Sequence, residues 1–286
     1  PPRSTLFPYT TLFRSVGRFM SEYGFQSFPD IATIRSFTRP EDRKQGSAVM
    51  NAHQKHARGY EIIDTHLMRD YKKPKECESY AYVSQLLQAR GIISAIEAHR
   101  RHQPYCMGTL FWQLNDCWPV VSWSARDSRG IKKALFHHLP EAYDLLLISP
   151  VVEDGRVKVF IANDDWRPHG GVMTIKLIDF EGNMYSDEGF NVEIPGNSSY
   201  VYYDTLQTAL LRNMDTARVF LLATYKGHMS GVQIRNLLYF TSPRHLNLPL
   251  PAVAKTVTSH PDGYKITLFS EKLVKNLWLS TNFDGD

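Results

Sequence analysis

The sequence predicts an α/β segment followed by an all-β region. The first part reads as βα units of the kind that build a barrel. The second reads as an immunoglobulin-like β-sandwich, with the start of a second sandwich behind it. Three observations carry this. Two short apolar-rich runs, Arg18-Phe-Met-Ser-Glu-Tyr-Gly-Phe-Gln26 and Gly108-Thr-Leu-Phe-Trp-Gln-Leu-Asn-Asp116, each end in polar and aromatic groups. A long stretch of helical period separates them, and strand, helix, strand is the repeat of a parallel sheet. Near Pro150 the period changes from 3.6 to 2, and short alternating runs follow, separated by turn residues.

The totals set the bounds. A chain of 286 residues has room for one large domain or about two ordinary ones. Hydrophobic residues at 43% and charged residues at 22% suffice to fill a core. Of the formal charge of +4, Arg3 and Arg14 contribute two, so +2 remains beyond residue 15. That balance argues against nucleic acid or an anionic membrane as partner, and no apolar stretch is long enough to span a bilayer. The basic runs Lys72-Lys-Pro-Lys75 and His99-Arg-Arg-His102 read as solvated faces. Cys77, Cys106 and Cys117 form no CxxC pair, so neither a disulfide framework nor a zinc site is expected. Each cysteine reads as a buried or half-buried small side chain. His53 with His56, and His99 with His102, share a helix side but lack a carboxylate at ligand spacing, so no metal is expected.

Taken in order, Pro1 to Ser15 has neither the layout of a signal peptide nor any period. It resembles a translated sequencing adapter and is set aside as foreign. After the first run, Asp30 is placed to cap a short helical turn through Ile34. Residues 38–75 are polar and interrupted by Pro40, Gly46, Gly59 and Pro74, with helical pieces predicted around 47–57 and 60–70. A long helix is predicted from Glu76 to His102, with Tyr80, Val83, Leu87 and Ser94 on one stripe and Tyr82, Leu86, Ile93 and Ile96 widening it. Pro104 closes it, and Tyr105 to Trp112 is the next strand. A helix from about Lys132 follows, disturbed by Pro140.

Beyond Pro150, strands are predicted over 156–162, 172–177, 199–203, 218–224 and 233–240. Asp154-Gly155 and Glu181-Gly-Asn183 are the hairpin signals. Pro243 to Pro251 is a proline-rich linker, and three further strands are expected over 253–259, 264–270 and 277–281. The chain is thus expected to divide into residues 16–149, 150–242 and 243–286. Two βα units cannot close a barrel and three strands cannot bury two faces, so the sequence reads as cut at both ends.

A glutamate at a strand end is ordinarily solvated, and a strand tryptophan is ordinarily core. What changes the reading is the pair. Ser21-Glu-Tyr-Gly-Phe-Gln-Ser-Phe-Pro29 and Gly108-Thr-Leu-Phe-Trp-Gln-Leu-Asn-Asp-Cys-Trp-Pro119, with Trp112 lying 90 residues after Glu22, resemble the β-mannosidases of glycoside hydrolase family 2. Asn51-Ala-His-Gln-Lys-His56 and Glu97-Ala-His-Arg-Arg101 fit the same group. The resemblance is strong over residues 16–150 and architectural beyond. It implies the last βα units of a (β/α)8 barrel, a retaining exo-glycosidase, a carbohydrate partner, and no metal or cofactor.

On that resemblance Glu22 falls on the catalytic nucleophile, and Trp112 on the aromatic platform beneath the bound sugar. The phenol of Tyr23 is a candidate donor to Glu22. Asn115 and Asp116 either bond sugar hydroxyls or hold the loop, and Trp118 either walls the pocket or packs the loop. The acid/base carboxyl of the family lies upstream, so the chain alone is expected to be inactive. The alternatives are a β-galactosidase or β-glucuronidase of the same family, or a non-catalytic carbohydrate-binding relative. Gly130-Ile-Lys-Lys133 departs from the family, which places an aromatic residue before the lysine of its last barrel helix.

Overall fold

The computed structural model describes residues 16–228 and 231–279; the segment read as foreign, and the end of the third strand predicted near the C-terminus, lie outside them. Among the described residues, five α-helices precede the first regular strand: α1 (Ile31–Phe37), α2 (Ala48–Ala52), α3 (Gly59–Asp70), α4 (Cys77–Arg101) and α5 (Ala134–Ala142). Asp30 caps α1 by accepting from the Ala32 N–H at 2.7 Å, as its position predicts. Helix α4 runs 25 residues and buries Tyr80, Leu87, Ile92 and Ile96, together with the polar Ser84, Gln85 and Gln88. Pro140 does not end α5; it sits exposed in the last turn.

The two apolar-rich runs do not become regular strands. They lie side by side as extended segments in parallel register, joined by the Met107 N–H to the Arg18 carbonyl, Met20 N–H to Gly108, Leu110 N–H to Met20 and Trp112 N–H to Tyr23, at 2.7–2.9 Å. From Met20 to Tyr23 the ladder takes three residues, while from Leu110 to Trp112 it takes two. The extra residue falls at Ser21–Glu22, a bulge of the kind that re-aims a side chain.

Behind the helices stands a seven-stranded sandwich. Its sheets are ordered β1–β2–β5 and β4–β3–β6–β7, with β1 Leu146–Glu153, β2 Arg156–Asn163, β3 His169–Asp179, β4 Met184–Ile194, β5 Ser198–Leu206, β6 Val219–Gly227 and β7 Gln233–Tyr239. All neighbours are antiparallel. Helix α6 (Gln207–Leu211) follows β5. Val157, Val159 and Ile161 face Met173, Ile175, Leu177, Leu221, Ala223 and Tyr225 across the core. Both hairpin signals hold: Asp154 and Gly155 take φ of 50° and 72°, and Gly182 takes 96°.

Two strands escaped the sequence reading. β1 is apolar without alternation and carries Pro150, which the ladder tolerates because β1 is an edge strand. β4 is largely exposed, so no apolar period marks it. A last hairpin, β8 (Ala254–His260) with β9 (Gly263–Phe269), forms a separate exposed two-stranded sheet. Residues 277–279 are not a strand.

The His99–His102 run is not a solvated face. His99 and Arg100 are buried, His99 against Thr109 and Tyr23 of the extended segments and Arg100 where the sandwich meets that end of α4. Arg100 donates to the carbonyls of Ala142 (2.7 Å) and Leu145 (3.2 Å) and pairs with Asp164 at 3.2 Å. Arg101 donates to the Ser149 hydroxyl at 2.7 Å, and that hydroxyl donates to Glu97 at 3.1 Å. The Asn236 amide closes the knot on Glu97 at 2.8 Å. Burial raises the Glu97 carboxyl above its usual range, partly offset by Arg101. Of the cysteines, Cys106 is buried and Cys77 half-buried, but Cys117 is exposed.

Candidate active site

The parallel register puts Glu22 and Trp112 at the same end of neighbouring segments, since the Trp112 N–H bonds the carbonyl of Tyr23, the residue after Glu22. Tyr23 faces the helices. Its phenol shares a 2.7 Å hydrogen bond with the Thr109 hydroxyl, which also takes His99 Nδ1 at 2.7 Å, and its ring meets the His99 ring edge-on. Burial pushes its ionisation far above the usual phenol range. Successive residues of an extended chain point to opposite sides. Tyr23 therefore turns away from Glu22 and is not the donor that the sequence suggested; Glu22 lies exposed on the open side.

Trp112 is also on the open side. Thr109 is buried and Phe111 packs on the helical core, whereas Leu110, Trp112 and Leu114 are exposed at period two. Phe19 lies over Gly108 on that same side, where a Cβ would come within 2.1 Å of its ring. One face of the pair is thus packed on helices. The other presents Phe19, Leu110 and the indole, with 48% of Trp112 exposed. The Trp112–Gln113 peptide is cis.

The loops beyond both segments are knitted together. Ser27 pairs with Ser122 through the backbone, Gln54 with Val121, and the Gln113 N–H reaches the Trp123 carbonyl at 3.2 Å. Asp116 is buried, and the hydroxyls of Ser122 (2.8 Å) and Ser124 (2.5 Å) bond its carboxylate. Asn115 is exposed. Trp118 is half-buried beside His53 at 5.2 Å between ring centroids, with the Lys55 ammonium 5.6 Å from its own ring; His53 in turn stacks on Phe37 at 3.9 Å. Its ring is thereby engaged by the loop. A hollow lined by Phe37, Arg39, Glu41 and Asp42 lies next to this stack, and neither Glu22 nor Trp112 lines it.

Gly24 is the glycine that this packing requires. A Cβ there would meet the Trp112 carbonyl oxygen at 2.5 Å and Trp123 Cδ1 at 2.8 Å. Gly24→Ala is expected to cost about 1–3 kcal/mol by overpacking, read as a lower midpoint in urea. An unchanged midpoint would mean that the two segments do not approach as described.

Sequence reasoning missed Lys133, which is fully buried, and Gln88, whose amide donates to the carbonyls of Phe25 and Trp123 (2.9 Å each) and Ser124 (3.1 Å). A lysine at the start of one helix and a glutamine inside another were the available signal.

Residues 155–245 match the family model of the mannosidase Ig/CBM-like domain. β-Mannosidase B of Aspergillus niger is 39% identical over 116 residues, 39% of this chain and 14% of the fungal protein, and that of Aspergillus oryzae matches equally. Among solved structures, β-D-mannosidase from Dictyoglomus thermophilum superposes with a TM-score of 0.87 at 28% identity, covering 97% of this chain and 34% of its own. Exo-chitosanase CsxA of Amycolatopsis orientalis shares the fold at a TM-score of 0.73 and 15% identity, over 93% of this chain and 36% of its own. The chain thus spans about a third of the length of these solved relatives and a seventh of the curated ones.

The match of the sandwich to the mannosidase Ig/CBM-like domain, together with the superposition over 97% of this chain, supports the glycoside hydrolase family 2 class. Within that class the chain is β-mannosidase-like.

Proposed function

We propose that this chain carries the last two βα units of a (β/α)8 barrel, residues 16–149, followed by an immunoglobulin-like sandwich over 150–242 and the start of a second over 243–286. Its parent is a retaining exo-β-mannosidase that removes terminal non-reducing β-D-mannose from oligosaccharides or glycans. The observation that carries this is the parallel ladder that sets Glu22 and Trp112 side by side on the open face. The exposed Phe19 and Leu110 on that face are what further barrel strands would cover.

In this reading Glu22 attacks the anomeric carbon. The bond to the leaving-group oxygen breaks as a second carboxylic acid protonates that oxygen, and water then hydrolyses the glycosyl ester. Trp112 supports the sugar ring on its indole face, and exposed Asn115 takes a hydroxyl. Asp116, already bonded by Ser122 and Ser124, holds the loop, and Trp118 packs it. A retaining enzyme needs its second carboxyl about 5–5.5 Å from the first. Asp30 is spent as a helix cap, Asp116 is spent on hydroxyls, and Glu41 lies in a separate turn. None of these three is offered for that role; the family resemblance implies an acid/base on a barrel strand upstream of Glu22.

The test is hydrolysis of chromogenic glycosides. The 286-residue chain is expected to leave a β-mannoside intact, while the longer parent turns it over faster than the β-galactoside or β-glucuronide. Turnover by the short chain would overturn the missing acid/base. A parent that prefers another sugar would overturn the substrate, and one that binds mannosides without cleaving them would be a carbohydrate-binding relative.

A further inference from the structure

We propose that Lys133 is a positioning residue that fixes Glu22 and Trp112 relative to each other, its buried ammonium tying the end of the carboxylate-bearing segment to the loop behind the indole. The inference rests on the reading that those two side chains form the site.

Lys133 stands at the N-terminus of α5 with no solvent exposure. Its N–H bonds the Ala125 carbonyl at 2.9 Å. Its Nζ donates to the Ser27 hydroxyl at 3.0 Å, five residues beyond Glu22. That hydroxyl donates on to Gln88 at 2.7 Å, and the Gln88 amide holds the carbonyls of Phe25, Trp123 and Ser124. The backbone of Ser27 is paired with Ser122, whose hydroxyl, with that of Ser124, bonds Asp116, four residues beyond Trp112. One amine thus touches the continuation of the Glu22 segment directly and that of the Trp112 segment through one backbone pair.

The charged groups facing it are Asp116 and Asp127. Asp127 is itself buried and fixed by the Thr33 hydroxyl at 2.6 Å and the Arg129 and Ile131 N–H groups at 3.0 Å. If the position needed only volume, an apolar side chain would fill it without the cost of burying a charge. An ammonium that donates to Ser27 and is attracted by two anchored carboxylates instead draws their two loops toward a common point.

The same geometry has a pH consequence. Burial lowers the Lys133 amine from 10.5 to about 8, against the pull of the two carboxylates. Between those values the unfolded chain holds a proton that the folded chain has released, so this group's share of global stability rises with pH. What disappears above pH 8 is the attraction on Asp116 and Asp127. A local shift of the loop without unfolding is the expected result.

Isotope-labelled 286-residue chain would be titrated across this range by nuclear magnetic resonance. The Lys133 Cε signal and the Trp112, Trp123 and Asp116 amides are expected to move together with one midpoint near 8. In Lys133→Arg, which stays charged, those amides should stay at their low-pH positions throughout. In Lys133→Met they should sit near the high-pH positions at every pH. Signals of Trp112 and Glu22 indifferent to pH and to both changes would overturn the inference, and the wild-type titration with Lys133→Arg decides it should Lys133→Met not fold. In the longer parent, Lys133→Met should lower kcat on the order of 10²-fold, as a misplacement of about 1 Å does, with Lys133→Arg restoring most of it. An inactive wild-type parent sinks the reading of the site. An active parent whose kcat Lys133→Met leaves unchanged sinks this inference alone.

Discussion

Glu22→Ala in the longer parent should lower kcat for an aryl β-mannoside by roughly 10⁴- to 10⁶-fold, the scale on which a covalent nucleophile is lost. The reason is specific to the transition state. Positive charge develops at the anomeric carbon, and an ionised carboxylate both stabilises it and captures it as an ester. Alanine leaves a gap on the open side without disturbing the packed one, because Tyr23, Phe25 and Thr109 make their contacts on the helical side. The variant should therefore keep the thermal midpoint of the wild type. Added azide should enter the gap and restore part of the turnover, giving the mannosyl azide of inverted configuration. A variant that keeps a tenth of wild-type activity, or an azide product of retained configuration, would remove Glu22 from the nucleophile's role.

Arg100→Ala should destabilise the chain by about 1–3 kcal/mol, since the buried guanidinium takes its hydrogen bonds to the Ala142 and Leu145 carbonyls with it, while its ion-pair partner Asp164 is 39% exposed and can be solvated. The guanidinium bonds the carbonyls of Ala142 and Leu145 and reaches Asp164, so three points on either side of the junction between helices and sandwich lose their common donor. Glu97→Ala should act similarly, leaving Arg101, Ser149 and Asn236 without the carboxylate they share. Urea unfolding followed by tryptophan fluorescence and by circular dichroism should show one transition in the wild type and two in either variant, with the helical part melting apart from the sandwich. The control is Arg156→Ala, whose partner Asp204 is as exposed as itself; an exposed pair of that kind contributes about 0–1 kcal/mol. Equal effects from Arg100 and Arg156 would mean that the junction is not held by its buried charges.

Much of the architecture could be read from local chemistry. Asp154-Gly155 demanded a tight hairpin because few other residue pairs accept two successive positive φ values, and Asp30 announced a helix start through its cap. β2, β3 and β6 alternate because one face is core. Where burial is not one-sided the pattern vanishes: β1 is buried on both faces over Leu146 to Pro150, and β4 is wet on nearly its whole length. The His99–His102 run misled for the same reason, as charge in sequence looks solvated until a second domain is set upon it.

The sequence by itself determined the carboxylate, the indole, the helix between them and the sandwich beyond, since each follows from the residue types and the period of a short stretch. Only the tertiary structure decided that Glu22 and Trp112 share one rim, that Tyr23 faces the other way, and that Lys133 lies buried among Ser27, Asp116 and Asp127. Those are facts of register and of contact between residues up to 106 positions apart. They arise when chain segments distant in sequence close on one another, which no local period encodes.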